Sequence, residues 1–226
     1  MLSKKLRTIL IYTILRLLHK LYYLPGTRAK RYIIVDNQNF VLLPYVFIPK
    51  YTLTSSMLCR VLTNIKGKSI CELGSGSGLV SVYLSRVGKA SRVMALDVKY
   101  DAVINTKLNA KINNVMVSMD IAQMDVGSAI RSNIFDIVVT NPPYLPLNPT
   151  DSLDILYCCG RDLKLLRKFI IDALRLIKNN GKVFMVLNDI ALEYIITPLR
   201  KSGLKVNKIL QVKTLLDKIY VIEIKK

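Results

Sequence analysis

The chain has 226 residues, of which 51% are hydrophobic and 22% are charged. These proportions exclude a disordered chain, and the length predicts one domain with a substantial core and room for an appended segment. Lysine and arginine number 34 against 15 aspartates and glutamates, which gives a formal net charge of +19. Such an excess indicates an anionic partner, with nucleic acid, the ribosome or acidic lipid as the first candidates.

The number and spacing of the cysteines and the histidine limit which metal sites the chain can form. The four cysteines form no CxxC pair, and one histidine adds too few ligands for a zinc site. No secretory cleavage pattern follows the N-terminus. We therefore predict no bound metal, a cytoplasmic location and cysteines that act as small core residues.

The first predicted element is a basic amphipathic helix within residues 1–30. Apolar residues recur at helical spacing from Leu6 through Ile14 to Leu21, and the basic residues lie largely off this stripe. The apolar run is too short to span a bilayer, so no transmembrane segment is predicted. Two interpretations stay open: the helix docks on the body of the protein, or it offers a surface for RNA, the ribosome or a membrane.

Residues 31–226 are predicted to form the main domain. Two strands around a turn at 36–39 and a helix near 52–65 come first. Strands and helices then alternate, which predicts an α/β fold with a parallel sheet whose ligands lie beyond the C-terminal ends of the strands. The strands are expected at 69–73, 92–96, 115–119, 134–140 and 182–187, the helices at 78–87, 100–112, 162–178 and 191–201, and a closing antiparallel pair at 204–212 and 218–224.

A glycine-rich turn follows the strand at 69–73. Residues 72–78 read ELGSGSG, and Leu79 stands where a dinucleotide fingerprint needs glycine. Glycines let the backbone turn tightly and approach a ligand that a Cβ would exclude. The E-x-G-x-G-x-G spacing resembles motif I of class I S-adenosylmethionine (SAM) methyltransferases, which implies a Rossmann-like seven-stranded sheet with the last strand antiparallel. The cofactor-binding residues predicted here are Glu72, Gly74, Ser75, Gly76 and Gly78, with Glu72 suited to the methionine ammonium.

Two further carboxylates are predicted at strand ends. Asp97 ends the second strand of the alternating series, where a carboxylate binds the ribose hydroxyls of an adenosine. Asp120 and Ile121 follow the expected third strand, where they are predicted to accept a hydrogen bond from the adenine amino group and to pack on the ring. Three carboxylates at three consecutive strand ends favour a nucleoside cofactor over a purely structural turn.

The fourth strand ends in the sequence NPPY. Two prolines fix the backbone and leave carbonyl oxygens free as acceptors, while the side chain of the preceding asparagine adds another. Together these acceptors suit a planar –NH2 group, whose lone pair they would aim at a methyl donor. The predicted catalytic residues are Asn141, Pro142, Pro143 and Tyr144, the last as a stacking face, and Asn141 is also expected to contact the cofactor.

The order of these motifs resembles amino-methyltransferases, and several details resemble the HemK/PrmC family, in its archaeal and eukaryotic branch. Motif I reads CELGSGSGLVS, Gly160-Arg161-Asp162 opens a helix after NPPY, and Ile48-Pro49-Lys50 stands where the family has a proline-containing segment. The acidic residue that the family has after that proline is missing, and Thr52 is the nearest substitute. The resemblance covers about residues 45–226 and leaves out the first helix.

This resemblance implies SAM-dependent methylation of N5 of the glutamine in the Gly-Gly-Gln motif of a peptide-chain release factor. It also implies a small zinc-binding activator protein, which this chain needs or which its N-terminal helix replaces. The alternative is an RNA or DNA amino-methyltransferase acting on adenine N6 or guanine N2, because the same loop serves these targets and the net charge favours them. The chain is short for a base-flipping enzyme, which favours the protein substrate.

Overall fold

The computed structural model describes residues 2–22, 31–35, 37–48, 53–63 and 65–226. The helices are α1 (Lys4–Tyr22), α2 (Thr54–Val61), α3 (Leu79–Arg86), α4 (Tyr100–Ile112), α5 (Lys164–Leu176) and α6 (Asp189–Lys201). The strands are β1 (Arg31–Val35), β2 (Gln38–Leu42), β3 (Ser69–Leu73), β4 (Arg92–Asp97), β5 (Met119–Gln123), β6 (Phe135–Thr140), β7 (Ile177–Asn188), β8 (Lys205–Lys213) and β9 (Lys218–Lys225).

Within these ranges, seven strands form one sheet in the order β5-β4-β3-β6-β7-β9-β8. The pairs from β5 to β7 are parallel, whereas β9 runs antiparallel to both β7 and β8. This confirms the predicted sheet with an antiparallel last strand. The strand order reverses between β3 and β6, which is where ligands bind in open α/β sheets.

The core lies on both faces of this sheet because its central strands are buried on both sides. Along β3, Ile70 belongs to the apolar cluster on one face, whereas Cys71 and Leu73 belong to the cluster on the other. A third, smaller cluster lies beneath α1 and contains Ile11 and Tyr157. All four cysteines are buried and unbridged.

Helix α1 packs on the body of the protein through apolar residues such as Ile11 and through polar side chains on the same side. Arg7 forms an ion pair with Asp189 at 2.7 Å, Arg16 pairs with Asp154, and His19 contacts the hydroxyl of Tyr157 at 3.0 Å. No helix in the described part of the chain is long and apolar enough to cross a membrane. The division of the chain at residue 30 stays a prediction, because residues 23–30 lie outside the described ranges.

Two predicted boundaries in the sheet are wrong. A 3-10 turn occupies Met116–Ser118, so β5 begins only at Met119 and Asp120 lies near its start. The expected apolar run includes Val117, which is 89% exposed. In addition, α5 ends at Leu176 and β7 follows at once, because Ile177 already pairs with Phe135 of β6.

Candidate active site

A cleft of about 930 Å³, partly open to solvent, lies at the C-terminal ends of β3, β4 and β6. Its walls combine the carboxyl groups of buried Glu72 and half-buried Asp97, the glycine turn after β3, the residues after β5 and the start of the NPPY loop. The residues that line it include Glu72, Gly74, Ser75, Gly76, Asp97, Met124, Asp125, Val126, Asn141, Pro143 and Phe169. A cleft of this size and position suits a nucleoside cofactor.

The glycine turn is held against β4 and left open toward the cleft. The backbone N–H groups of Gly74 and Ser75 donate to the carbonyl of Leu96 at 2.8 and 2.9 Å. Gly76 has φ +53° and has only Phe47 Cβ, at 3.8 Å, near the place of an added Cβ. Its φ favours glycine, and the resulting turn brings backbone rather than side chain to the cleft wall.

Gly78 has a different role from the one predicted. It lies outside the cleft wall, at the N-cap of α3, with φ +77°. A Cβ there would lie 2.8 Å from Cγ2 and 2.9 Å from Cα of Thr106 in α4. Gly78 is thus required for close packing of α3 against α4, and it affects the cleft only indirectly.

Glu72 is a buried carboxylate at the cleft wall. Its Oε2 accepts hydrogen bonds from the backbone N–H of Ser81, at 2.9 Å, and from the Ser81 hydroxyl. Burial raises the pKa of Glu72 to about 8, although these hydrogen bonds favour the ionised form. A buried carboxyl with a raised pKa has a strong preference for a cationic ligand, because the ligand charge offsets the cost of ionisation.

Asp97 closes the cleft on the β4 side. One carboxylate oxygen accepts from the N–H of Gly76 and the other from the N–H of Lys99, both at 2.9 Å. Burial raises the pKa of Asp97, and the two backbone hydrogen bonds oppose that shift. The side chain is therefore fixed in place by the backbone on both sides, with its carboxylate at the edge of the cleft.

Asp120 does not reach the cleft, so its predicted contact with the adenine amino group is wrong. It lies near the start of β5 and accepts two hydrogen bonds of 2.6 Å from Arg92, which also hold its pKa below the usual range. Ile121 packs against an apolar core cluster. Because β5 ends later than expected, Met124, Asp125 and Val126 are the residues that line the cleft there.

Asn141 sits where the cleft meets a second cavity. Its Nδ2 donates to the hydroxyl of Thr54, at the start of α2, at 2.9 Å. The Thr140 hydroxyl donates to the carbonyl of Leu73 at 2.8 Å, which ties the base of the NPPY loop to β3. With Nδ2 bound to Thr54, Oδ1 is the side-chain atom left to accept a hydrogen bond from a ligand.

Thr54 was missed by sequence reasoning. The nearby Thr52 was considered instead, together with Pro49 and Lys50, and these three residues lie outside the described ranges. A threonine at the first turn of a helix is an ordinary helix-start residue, so its type carried no functional signal. Only the fold brings it to a residue 87 positions further along the chain.

The second cavity, of about 320 Å³ including space open to solvent, has all four NPPY residues in its wall. Pro142 and Tyr144 line this cavity and not the larger cleft, whereas Asn141 and Pro143 line both. Tyr144 packs against two apolar clusters, and burial raises the pKa of its hydroxyl. The remaining walls are largely apolar and include Leu15 of α1, Phe47, Leu145, Leu156 and Tyr157.

The Gly160-Arg161-Asp162 element supports the loop from behind. The N–H of Gly160 donates a hydrogen bond to the carbonyl of Leu147 at 3.0 Å. The side chain of Asp162 accepts a hydrogen bond from the N–H of Lys164 at the start of α5. It therefore fixes the path of the chain between the NPPY loop and α5. Across the described residues, no group of three or more His, Cys, Asp or Glu side chains could hold a metal ion.

Comparisons with known proteins agree on the fold. Residues 39–201 match the family described as methyltransferase small domain. A relative from Methanocaldococcus jannaschii, described provisionally as a protein N5-glutamine methyltransferase, is 29% identical over 174 residues, covering 74% of this chain and 86% of the relative. The release factor glutamine methyltransferase of Lactococcus lactis is 28% identical over 126 residues, covering 51% of this chain but only 46% of that enzyme.

Among solved structures, TYW2 of P. horikoshii in complex with MeSAdo has a TM-score of 0.62 at 14% identity. The likeness covers 94% of this chain and 81% of that chain. At this identity the likeness shows the fold alone. The sheet order and this likeness together confirm the fold predicted from the glycine turn and the alternating elements.

Proposed function

We propose a reaction from the premise that this chain belongs to the methyltransferase small domain family and is a SAM-dependent methyltransferase, in keeping with its HemK/PrmC resemblance. The proposed reaction transfers the methyl group of SAM to N5 of the glutamine in the Gly-Gly-Gln motif of a peptide-chain release factor. The nitrogen–methyl bond forms as the sulfur–methyl bond breaks, S-adenosylhomocysteine is the leaving group, and the nitrogen releases one proton. The observation that carries it is the hydrogen bond from Asn141 Nδ2 to Thr54, which leaves Oδ1 at the junction of the two cavities as an acceptor.

The residues of the larger cleft fit SAM. Buried Glu72 suits the ammonium of its methionine part, and Asp97 suits the ribose hydroxyls. The exposed backbone at Gly76 leaves room that a Cβ would take. When bound, SAM supplies an electrophilic methyl group on a positively charged sulfur. Met124 and Val126, after β5, are proposed to pack near the adenine, in the place that the sequence predicted for Asp120 and Ile121.

The NPPY loop is proposed to hold the amide that accepts the methyl group. An amide nitrogen is a poor nucleophile because its lone pair is delocalised into the carbonyl. Oδ1 of Asn141 and a proline carbonyl would accept hydrogen bonds from the two N–H groups of the amide. These bonds raise the electron density on the nitrogen and fix its orientation. The side chain of Tyr144 is proposed to pack beside the amide as a neutral phenol.

The walls of the second cavity suit an amide at the end of an apolar side chain. They are largely apolar, as the two methylenes of glutamine require, and Asn141 lies where this cavity meets the cleft, so that it could hold the amide. The names of the relatives from Methanocaldococcus jannaschii and Lactococcus lactis support the same acceptor. A release-factor substrate implies that the reaction takes place in the cytoplasm, where translation occurs. The zinc-binding activator remains a proposal, with α1 as the alternative cover for the surface around this cavity.

The test is methyl transfer from labelled SAM to separate samples of release factor, RNA and DNA. We expect label in the release factor, on the glutamine of the Gly-Gly-Gln motif by mass spectrometry, and loss of that label in Asn141→Ala. Asn179→Ala is the matched control because Asn179 is exposed on β7, away from both cavities. Omitting and adding the activator protein tests whether α1 suffices alone.

A nucleic acid acceptor is the second candidate, and the net charge of +19 is the observation that favours it. Label in RNA or DNA with none in the release factor would overturn the glutamine assignment and leave the amino-methyltransferase reaction in place. Label in none of the three samples, with SAM bound, would overturn both acceptor classes.

A further inference from the structure

Helix α1 turns its apolar stripe away from the protein. Leu17 is 55% exposed and Leu21 is 56% exposed, and Leu6, Ile9 and Ile14 are each more than 40% exposed. These residues recur at helical spacing, so they form one continuous face along the length of α1. A surface helix ordinarily does the opposite and buries such a face against the core.

Charged residues of α1 point to the body of the protein instead. Arg16 reaches Asp151 and Asp154, Arg7 reaches Asp189, and Lys4 reaches Glu193. Asp154 is almost fully buried, and it also accepts from the Tyr12 hydroxyl at 2.9 Å. These ion pairs, together with the apolar packing of Ile11 on the same side, hold that side of α1 inward and leave the leucine and isoleucine face outward.

The charge at the border of this face selects its partner. Lys5 and Lys20 are exposed beside the apolar stripe, and residues 1–31 carry eight lysines and arginines and no acidic residue. The carboxylates that α1 contacts already pair with its other cations, with Asp151 and Asp154 sharing Arg16, so Lys5 and Lys20 keep their charge at the border. The border is therefore positive, which suits an anionic surface and opposes a second copy of α1, whose lysines would meet like charges.

The shape of the face also separates lipid from protein. Among the side chains that the structure describes on this face, the large exposed ones are leucine and isoleucine, and none is an aromatic residue or an arginine, the types that anchor most protein interfaces. A helix of 19 residues is about 28 Å long, so it can lie flat in the headgroup region with its apolar side in the acyl boundary. We propose that α1 docks this protein on anionic phospholipid membranes through its outward face.

Vesicle flotation with the full chain tests this. One vesicle population is phosphatidylcholine alone, and the other contains about one-third phosphatidylglycerol. Wild-type protein is expected to float with the anionic vesicles at least about tenfold more tightly than with neutral ones. The double variant Leu6→Gln/Leu17→Gln is expected to lose at least about tenfold in that binding. Leu215→Gln, which changes a leucine that is 96% exposed in the β8–β9 connection, is the matched control.

Three results would overturn the proposal. The first is no flotation of the wild-type protein with anionic vesicles. The second is equal flotation of the double variant and Leu215→Gln, since attraction of basic residues to anionic lipid alone would need no apolar face. The third is a concentration-dependent dimer that Leu6→Gln/Leu17→Gln dissociates, which would assign the face to a second copy. Circular dichroism and SAM binding of the double variant confirm that it folds, because neither leucine lines the cleft.

Discussion

The strand-end cleft and the surface of α1 use charge in opposite ways. In the cleft, buried Glu72 and half-buried Asp97 are carboxyl groups held by backbone and hydroxyl donors. On α1, Lys5 and Lys20 are exposed cations beside an exposed apolar face. The net charge of +19 therefore describes the outside of the molecule, whereas the proposed cofactor binding depends on two carboxyl groups in the cleft.

The largest effect is expected at the junction of the two cavities. Asn141→Ala removes the acceptor oxygen, and turnover is expected to fall by about 100-fold or more, while the dissociation constant of SAM changes less than about twofold. Single-turnover methyl transfer and calorimetry measure the two quantities. Asn179→Ala should leave both unchanged, and wild-type turnover in Asn141→Ala would remove Asn141 from the proposed site.

A smaller effect, on cofactor binding, is expected from the carboxylate at the end of β4. Asp97→Ala removes one charge-assisted hydrogen bond to the glycine turn, one to the N–H of Lys99 and a proposed partner of the ribose, so SAM affinity should fall about 10- to 100-fold. Asp120→Ala is the control, because Asp120 pairs with Arg92 outside the cleft. Equal losses of affinity in the two variants would mean that Asp97 acts through stability rather than contact.

Glu72 should make SAM binding depend on pH. With its pKa raised to about 8, the free carboxyl is protonated at lower pH and must lose a proton to pair with a cation. Affinity is therefore expected to rise about tenfold from about pH 6 to about pH 7, as the ionised fraction increases. Glu72→Gln should bind more weakly, with a flat profile over that range. A flat wild-type profile would contradict the proposed pairing with the ammonium.

The anchoring of α1 should change stability more than cofactor affinity. Arg16→Ala leaves Asp154 without its cation, although Thr150 and Tyr12 still donate to it, so a loss of about 1–3 kcal/mol is expected in chemical unfolding. Lys4→Ala breaks an exposed pair and should cost less than about 1 kcal/mol. A loss in Lys4→Ala as large as that in Arg16→Ala would show that Asp154 is not the principal anchor.

Local sequence patterns predicted the glycine turn, Asp97 and NPPY, because each is a short motif directly after a buried strand. The start of β5 was misplaced because residues 115–119 are as apolar as a strand, whereas pairing of Met119 with Val93 determines the true start. The stripe on α1 was also visible, but its direction depends on Asp154 and Asp189, more than 130 positions away. Contacts of that kind leave no local signal, and the Thr54 partner of Asn141 is another example.

Leu15 of α1 is part of the wall of the smaller cavity, and α1 is held there by ion pairs as well as by apolar packing. Dissolved salt weakens the more exposed of these ion pairs, whereas it has little effect on a turn held by backbone hydrogen bonds. Rising ionic strength should therefore raise the KM for the acceptor before it changes the affinity for SAM. The same 19 residues would then make acceptor selection sensitive to the ionic composition of the surroundings, while cofactor recognition stays constant.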